Sequence, residues 1–309
     1  MHFYSNGKLL LTGEYLVLDG AKSLALPTKF GQDLVVEKIK ESEIIWGSFT
    51  SKGDCWFEAV FDLKKLRLIN CSFNSNKEGS AEFIAETLLD ILKEAKRMNP
   101  DFLDTENGFV VKTNLTFPRN WGLGSSSTLI NSIASWAKVD AFQLLWNSFK
   151  GSGYDIACAQ NDSPIFYQIE NKKPVVKQVA FNPSFKENLF FVHLNQKQDS
   201  KDGIAKFRES GDDFSKEIKR ISEISNDFSK TKTVAELNKL IVEHEQIISN
   251  IIKLKPVKEK LFSDYNLGEI KSLGAWGGDF VLVTGNEKTP SYFKNKGFET
   301  ILTYAEMIL

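Results

Sequence analysis

Cysteine and histidine are both scarce, with three of each in 309 residues. Cys55, Cys71 and Cys158 are odd in number and lack metal-ligand spacing. That excludes a disulfide framework and a thiolate zinc site, and it fits reduced thiols in a cytoplasmic setting. His244 falls among Leu237, Leu240, Ile241, Ile247, Ile248 and Ile251 at helical spacing, so it reads as a packed or rim residue. No apolar run is long enough to span a membrane, and no leader-like stretch opens the chain. Neither charge is in excess: 39 Lys and Arg stand against 40 Asp and Glu, for a net charge of −1. Nucleic acid and anionic membranes are therefore not expected partners, and any anion-binding surface must be a local pocket. The Gly-x-x-x-x-Gly-Lys-Ser/Thr pattern is missing, which excludes a Walker-type nucleotide site. Internal repeats and low-complexity segments are missing too.

What remains is the composition of a globular protein, 42% hydrophobic and 26% charged, in a chain long enough for two domains. Alternation and β-branched or aromatic enrichment predict strands over 8–18, 34–39, 43–49, 55–62, 108–113 and 164–168. Helices are expected over 80–98, where Phe83, Ile84, Thr87, Leu88, Ile91 and Leu92 share a face, and after Ser127. A break lies near 182–186. Beyond it come a strand over 189–194, long helices over 202–226 and 234–254, and a strand pair flanking 274–278. A short helix over 291–296 and a strand over 300–304 end the chain. Thr233 with Glu236 has the spacing of a capping box, and Pro256 marks the stop. Strands mixed with helices, without a βαβ rhythm, predict two α+β sandwiches.

One run concentrates chemistry: Pro118-Arg119-Asn120-Trp121-Gly122-Leu123-Gly124-Ser125-Ser126-Ser127. It leads directly into Leu129, Ile130, Ile133, Ala134 and Ala137 at helical spacing. A glycine-rich turn that opens a helix aims unpaired N–H groups and the positive dipole end at one point. Glycines let a backbone approach phosphate oxygens, and serines cap the helix or lend hydroxyls to an anion or metal. An ordinary capped helix after a turn is the plainer alternative.

Two further segments accompany it. Asn6-Gly7-Lys8-Leu9-Leu10-Leu11-Thr12-Gly13-Glu14-Tyr15-Leu16-Val17-Leu18 stands near the start, and Lys271-Ser272-Leu273-Gly274-Ala275-Trp276-Gly277-Gly278-Asp279 near the end. In this order the three resemble the motifs of the GHMP kinases, the group that includes galactokinase, homoserine kinase, mevalonate kinase and phosphomevalonate kinase. Gly13-Glu14-Tyr15 resembles the phosphomevalonate kinase branch, whereas the family's sugar kinases carry Gly-Glu-His and a downstream Asp-Tyr that this chain lacks. The resemblance implies an N-terminal α+β nucleotide-binding domain over 1–183 and a C-terminal ferredoxin-like domain with added helices over 184–309. It implies ATP and Mg2+ as cofactors and a small-molecule acceptor, a phosphorylated or carboxylated alcohol such as phosphomevalonate or mevalonate.

By the same resemblance Gly122, Leu123, Gly124, Ser125, Ser126 and Ser127 hold the nucleotide, with Ser126 nearest the metal. Asp155, in Ser152-Gly153-Tyr154-Asp155, matches the catalytic aspartate of mevalonate-type members. Lys8, at the start of an apolar strand, supplies a fixed cation where charge is redistributed. A Lys–Asp pair holds the aspartate ionised as a proton acceptor. A solvated Lys8 and an Asp155 that merely caps a helix are the alternatives. Glu14, Lys197, Ser200 and Gly277 fall at positions the resemblance assigns to the substrate, with Lys29 and Arg119 as further anchors for an anion. Two departures stand out. The segment 142–149 has no carboxylate where mevalonate kinases carry a metal-binding glutamate, and Trp276 replaces a glycine. The indole is expected either to crowd the phosphate side of the site or to pack on substrate. A non-catalytic relative that binds nucleotide or a metabolite and acts through a partner is the alternative function.

Overall fold

In a computed structural model, which describes residues 1–73, 80–149, 151–195, 207, 213–274, 276 and 278–309, alternating segments form strands and segments of helical period form helices. The first half runs β1 (His2–Leu10), β2 (Ser23–Lys38), β3 (Glu43–Phe49), β4 (Cys55–Asp62), β5 (Arg67–Phe73), α1 (Ala81–Met98) and β6 (Phe109–Leu115). Three helices follow: α2 (Ser125–Ala137), α3 (Ala141–Ser148) and α4 (Tyr154–Ala159). Then come β7 (Ile165–Glu170), β8 (Lys173–Gln178), β9 (Leu189–His193), α5 (Ser215–Phe228), α6 (Val234–Ile252) and α7 (Val257–Leu261). β10 (Ile270–Ser272), β11 (Phe280–Thr284), α8 (Thr289–Asn295), β12 (Ile301–Thr303) and α9 (Tyr304–Met307) complete the chain.

By packing, the chain forms two units. One comprises Met1–Gly7, Phe30–Arg119 and Leu123–Gln160; the other comprises Lys8–Lys29, Asn120–Gly122 and Asn161–Leu309. The units are interleaved along the chain, so this division and the proposed sequence division at 183 and 184 are different cuts. In the first unit residues 32–38 of β2 pair antiparallel with β6, β6 pairs parallel with β3, and β4 and β5 follow antiparallel. Leu88 and Leu92 of α1, Ile130 and Ile133 of α2, and Leu144 of α3 share one core with Val36, Trp46, Phe57 and Phe61 of the sheet. Inside that core Trp46 Nε1 donates to Ser48 Oγ at 3.1 Å, which also accepts from Thr113 Oγ1 at 3.1 Å.

In the second unit residues 23–25 of β2 pair with β7, and β7 with β8. A separate antiparallel sheet has the order β10-β11-β9-β12. With helices between β9 and β10 and between β11 and β12, this is the β-α-β-β-α-β ferredoxin-like pattern with added helices. The α+β expectation is met in both units. Thr233 Oγ1 accepts from Glu236 N–H and starts α6 as expected, and the helix buries Leu237, Ile241, His244, Ile248 and Ile251 on one stripe.

Three local readings change. The strand expected over 8–18 ends at Leu10, and Leu16–Asp19 forms a single 3-10 turn that buries Leu16 and Val17. Gly13 and Gly20, at φ 91° and 89°, release the chain from extended geometry on either side. The exposed strands β5 and β8 were not expected, because a strand with little burial carries little apolar signal. The helix expected over 202–226 is interrupted: Phe207 is helical, residues 213 and 214 are not, and α5 starts at Ser215.

Phe61 is fully buried in the first unit's core. Replacing it by Ala should lower the unfolding free energy in urea by about 3–5 kcal/mol, the cost of the lost transfer energy plus a cavity. A loss well below that range would mean the core collapses around the site.

Candidate functional site

The glycine–serine turn divides its three serines between two tasks. Gly124, at φ 90°, is the N-cap of α2, and no side chain caps the helix. Ser127 Oγ instead donates to Gly124 O at 2.9 Å, and Thr128 Oγ1 donates to Gln32 Oε1 at 2.7 Å. Those inward bonds shape the turn. Ser126 is exposed and Ser125 half-buried, next to the first helical N–H groups, which have no intrahelical acceptors. The result is a donor cluster at the positive end of a 13-residue helix. A second helix start lies beside it. Gly153, also at φ 90°, precedes α4, and half-buried Asp155 in its first turn accepts from Ile156 N–H at 3.0 Å. The two helices are joined by Gln160 Nε2, which donates to Asn131 Oδ1 at 3.0 Å. Asn131 Nδ2 in turn donates to Ser5 Oγ at 2.9 Å. The first unit therefore brings the serine turn and Asp155 onto adjoining helices. The Arg119 guanidinium is exposed and stacks 3.7 Å from the Trp56 ring centre.

The second unit carries the rest. Lys8 is half-buried in β1. Gly122 is required by contact, since a Cβ there would fall 2.0 Å from Asp279 Oδ2. Glu14, expected on the substrate side, is buried: its Oε1 accepts from Lys271 Nζ at 2.5 Å, and its Oε2 lies 3.1 Å from His244 Nε2. Glu245 closes the group, with Oε1 3.6 Å from Lys271 Nζ and Oε2 accepting from Ser272 N–H and Oγ–H at 3.1 and 3.0 Å. Trp276 takes neither expected role. It is buried, its indole N–H donates to Lys255 O at 3.1 Å, and its backbone N–H donates to Tyr15 Oη at 3.2 Å. Lys29 Nζ is engaged with Ala305 O at 2.6 Å. Lys197, Ser200 and Gly277 lie outside the described residues. Sequence reasoning missed Lys271 and Glu245. Their one signal is a charged residue within an otherwise apolar strand or helix face. Among the described residues no group of three His, Cys, Asp or Glu side chains is placed to hold a metal ion.

At the level of sequence no family model and no curated protein matches this chain. Solved structures do match. Mevalonate kinase from Methanococcus jannaschii aligns with a TM-score of 0.67 at 17% identity, over 98% of this chain and 96% of its own. Phosphomevalonate kinase from Streptococcus pneumoniae, solved with phosphomevalonate and AMPPNP, aligns with a TM-score of 0.68 at 15% identity, over 98% and 99%. Galactokinase from Lactococcus lactis, solved with galactose, gives 0.67 at 13% identity, over 98% and 92%. The chain thus has the GHMP kinase fold, as its three motifs imply. Identities this low do not choose among the acceptors.

The buried group in the second unit has a definite charge arrangement. Burial alone would raise the Glu14 carboxyl, but the adjacent Lys271 ammonium overcomes it and holds Glu14 below the ordinary range. Burial, reinforced by Lys271, holds the His244 imidazole below its usual value and therefore neutral. The Gly13 N–H donates to Nε2 at 3.0 Å, which requires that nitrogen bare, whereas the Glu14 contact would require it protonated. A neutral ring keeps the Gly13 bond and carries its proton on Nδ1. Burial pushes the Glu245 carboxyl from the ordinary 4.5 up to about 7, against the pull of Lys271 and with Glu14 adding to the rise.

A carboxyl raised in this way binds its proton more tightly in the folded state. The stability it contributes is fully present below about pH 4.5 and is lost as pH rises through about 7, a change of about 3 kcal/mol. Glu245→Gln keeps an acceptor for Ser272 but cannot ionise. Urea unfolding at about pH 4 and pH 8 should show the parent losing about 3 kcal/mol more than the Gln variant across that interval. Parallel pH dependence in the two proteins would refute the assignment.

Proposed function

We propose that this chain, which has the GHMP kinase fold, transfers the terminal phosphoryl group of Mg·ATP to the hydroxyl of a small anionic acceptor, with phosphomevalonate first and mevalonate second. The observation that carries this reading is the uncapped start of α2 with Ser126 exposed, beside a second helix bearing Asp155. Gly122, Leu123, Gly124, Ser125 and Ser127 would hold the triphosphate chiefly through backbone N–H groups, because the Ser127 hydroxyl is already bonded to Gly124 O. Ser126 offers a neutral oxygen to Mg2+, an ion that otherwise takes phosphate oxygens and water and needs no carboxylate cage. Bound Mg·ATP supplies the phosphoryl group and neutralises charge on its oxygens. Asp155 accepts the proton of the attacking hydroxyl, and Lys8 stabilises the charge that develops during transfer. Glu14 serves the acceptor through the turn it fixes, and Lys197, Ser200 and Gly277 are the proposed contacts to the acceptor's anionic group and backbone. A cytoplasmic setting suits three cysteines that form no disulfide, and no described helix is long and apolar enough to cross a membrane.

One observation favours a second reading. Helix α3 bears no carboxylate where a mevalonate-type kinase binds its metal, which suits a nucleotide- or metabolite-binding protein that acts through a partner.

ADP release measured over a panel of phosphorylated and unphosphorylated acids and alcohols separates the two. Under the kinase reading one acceptor turns over, and Asp155→Asn or Lys8→Met lowers turnover by about 100-fold or more. Ser126→Ala should weaken Mg·ATP binding by about 1–3 kcal/mol, while Asp155→Asn changes it little. Near-parental turnover in both Lys8 and Asp155 variants overturns the mechanism. ATP binding without transfer to any acceptor establishes the second reading.

A further inference from the structure

Leu16 N–H donates to Glu14 O at 2.7 Å and closes a three-residue turn centred on Tyr15. Tyr15 has φ 63° and ψ −51°, the rare and strained form of γ-turn, and it is not a glycine. Such a backbone persists only where its surroundings over-determine it. Here they do so at Gly13, Glu14 and Tyr15. Gly13 N–H is held by His244 Nε2 at 3.0 Å, the Glu14 carboxylate by Lys271 Nζ at 2.5 Å, and Tyr15 Oη by Trp276 N–H at 3.2 Å. Glu245 fixes the holders in turn. Its Oε2 accepts twice from Ser272, next to Lys271 on β10, while His244 precedes it on α6. Four ionisable side chains in one dry interior are a costly way to gain stability, because well-packed apolar residues serve that purpose as well or better. What this arrangement delivers is one fixed geometry for residues 13–16.

We propose that His244, Glu245 and Lys271 are positioning residues that act as a buried clamp on the γ-turn at Tyr15, fixing the first motif for acceptor binding. The clamp rests on the kinase reading. Its members are buried and act through Gly13 and Glu14.

The test compares His244→Leu, which removes the acceptor for Gly13 N–H, with His244→Gln, whose side-chain oxygen restores one. Amide hydrogen exchange at Gly13 and Leu16 should quicken by about tenfold or more in the Leu variant, with exchange in the middle of α1 unchanged. The acceptor KM should rise by about tenfold while nucleotide affinity stays within about twofold, and the Gln variant should lie within about threefold of the parent in both readouts. If His244→Leu does not fold, the Glu14→Gln, Lys271→Met double variant removes both buried charges together and is read in the same way at Leu16. Parental exchange and parental KM in a folded variant overturn the clamp. So does exchange that quickens equally throughout the chain, which would mark a purely structural role. A parent that transfers no phosphoryl group to any acceptor sinks the kinase reading alone; the exchange measurement then decides the clamp by itself.

Discussion

Glu14 and Lys271 lie 257 positions apart in the chain and meet at 2.5 Å with no solvent around either. A buried carboxylate without a partner is too costly to keep, so once the turn after β1 carries Glu14 inward, the strand that bears Lys271 has to follow. β10 is only three residues long, and its register against β11 sets where that ammonium sits. Helix α6 contributes the neighbouring pair His244 and Glu245, which engage Gly13 on one side and Ser272 on the other. The first motif, the long helix and the approach to the third motif are therefore mutually dependent within the second unit. Removing one charge would strand the other.

The first unit solves a different problem, the presentation of backbone donors. Two of its four described helix starts, at Gly124 and Gly153, use a glycine at φ 90° and leave out the side-chain cap that Ser80 provides for α1 and Asp140 for α3. A cap satisfies the terminal N–H groups internally, and a ligand site has to leave them available. Ser127 and Thr128 turn their hydroxyls back to Gly124 O, so the turn is held rigid from below while Ser126 stays exposed. Within the serine run Ser127 is thus bonded inward and Ser126 left exposed, a distinction that spacing alone does not contain.

Much of this was legible before the structure. The strands over 43–49 and 55–62 and the helix over 80–98 follow from apolar period, and the start of α6 follows from Thr233 and Glu236. These are local signals. The three motifs pointed to the GHMP kinase fold because each is a short backbone device with its own chemistry. Long-range pairing stayed hidden: nothing near Lys271 in the chain indicates that it answers Glu14, and nothing near Gly122 indicates Asp279. The apolar run Leu16-Val17-Leu18 read as strand because burial, not period, is what it encodes. β8, with Pro174 and two lysines, is an exposed edge that carries almost no hydrophobic signal.

Trp276 shows how a departure from a family pattern acquires its meaning only from its neighbours. Taken alone, an indole in a glycine-rich turn suggests an obstructed phosphate site. In the fold the indole lies inside the second unit, with its N–H on Lys255 O, and its own backbone N–H meets the hydroxyl of Tyr15. Tyr15 is itself the residue that separates this chain from the Gly-Glu-His form of the first motif. The phenol oxygen reaches Trp276 only because the γ-turn directs residue 15 inward, and the turn is held in part by that same bond. The two unusual residues therefore fit each other, and the large side chain is accommodated by burial and its own hydrogen bond. Fold does not choose the acceptor, since sites are grafted on folds. What the interior of this chain does fix is the shape of the turn at Tyr15.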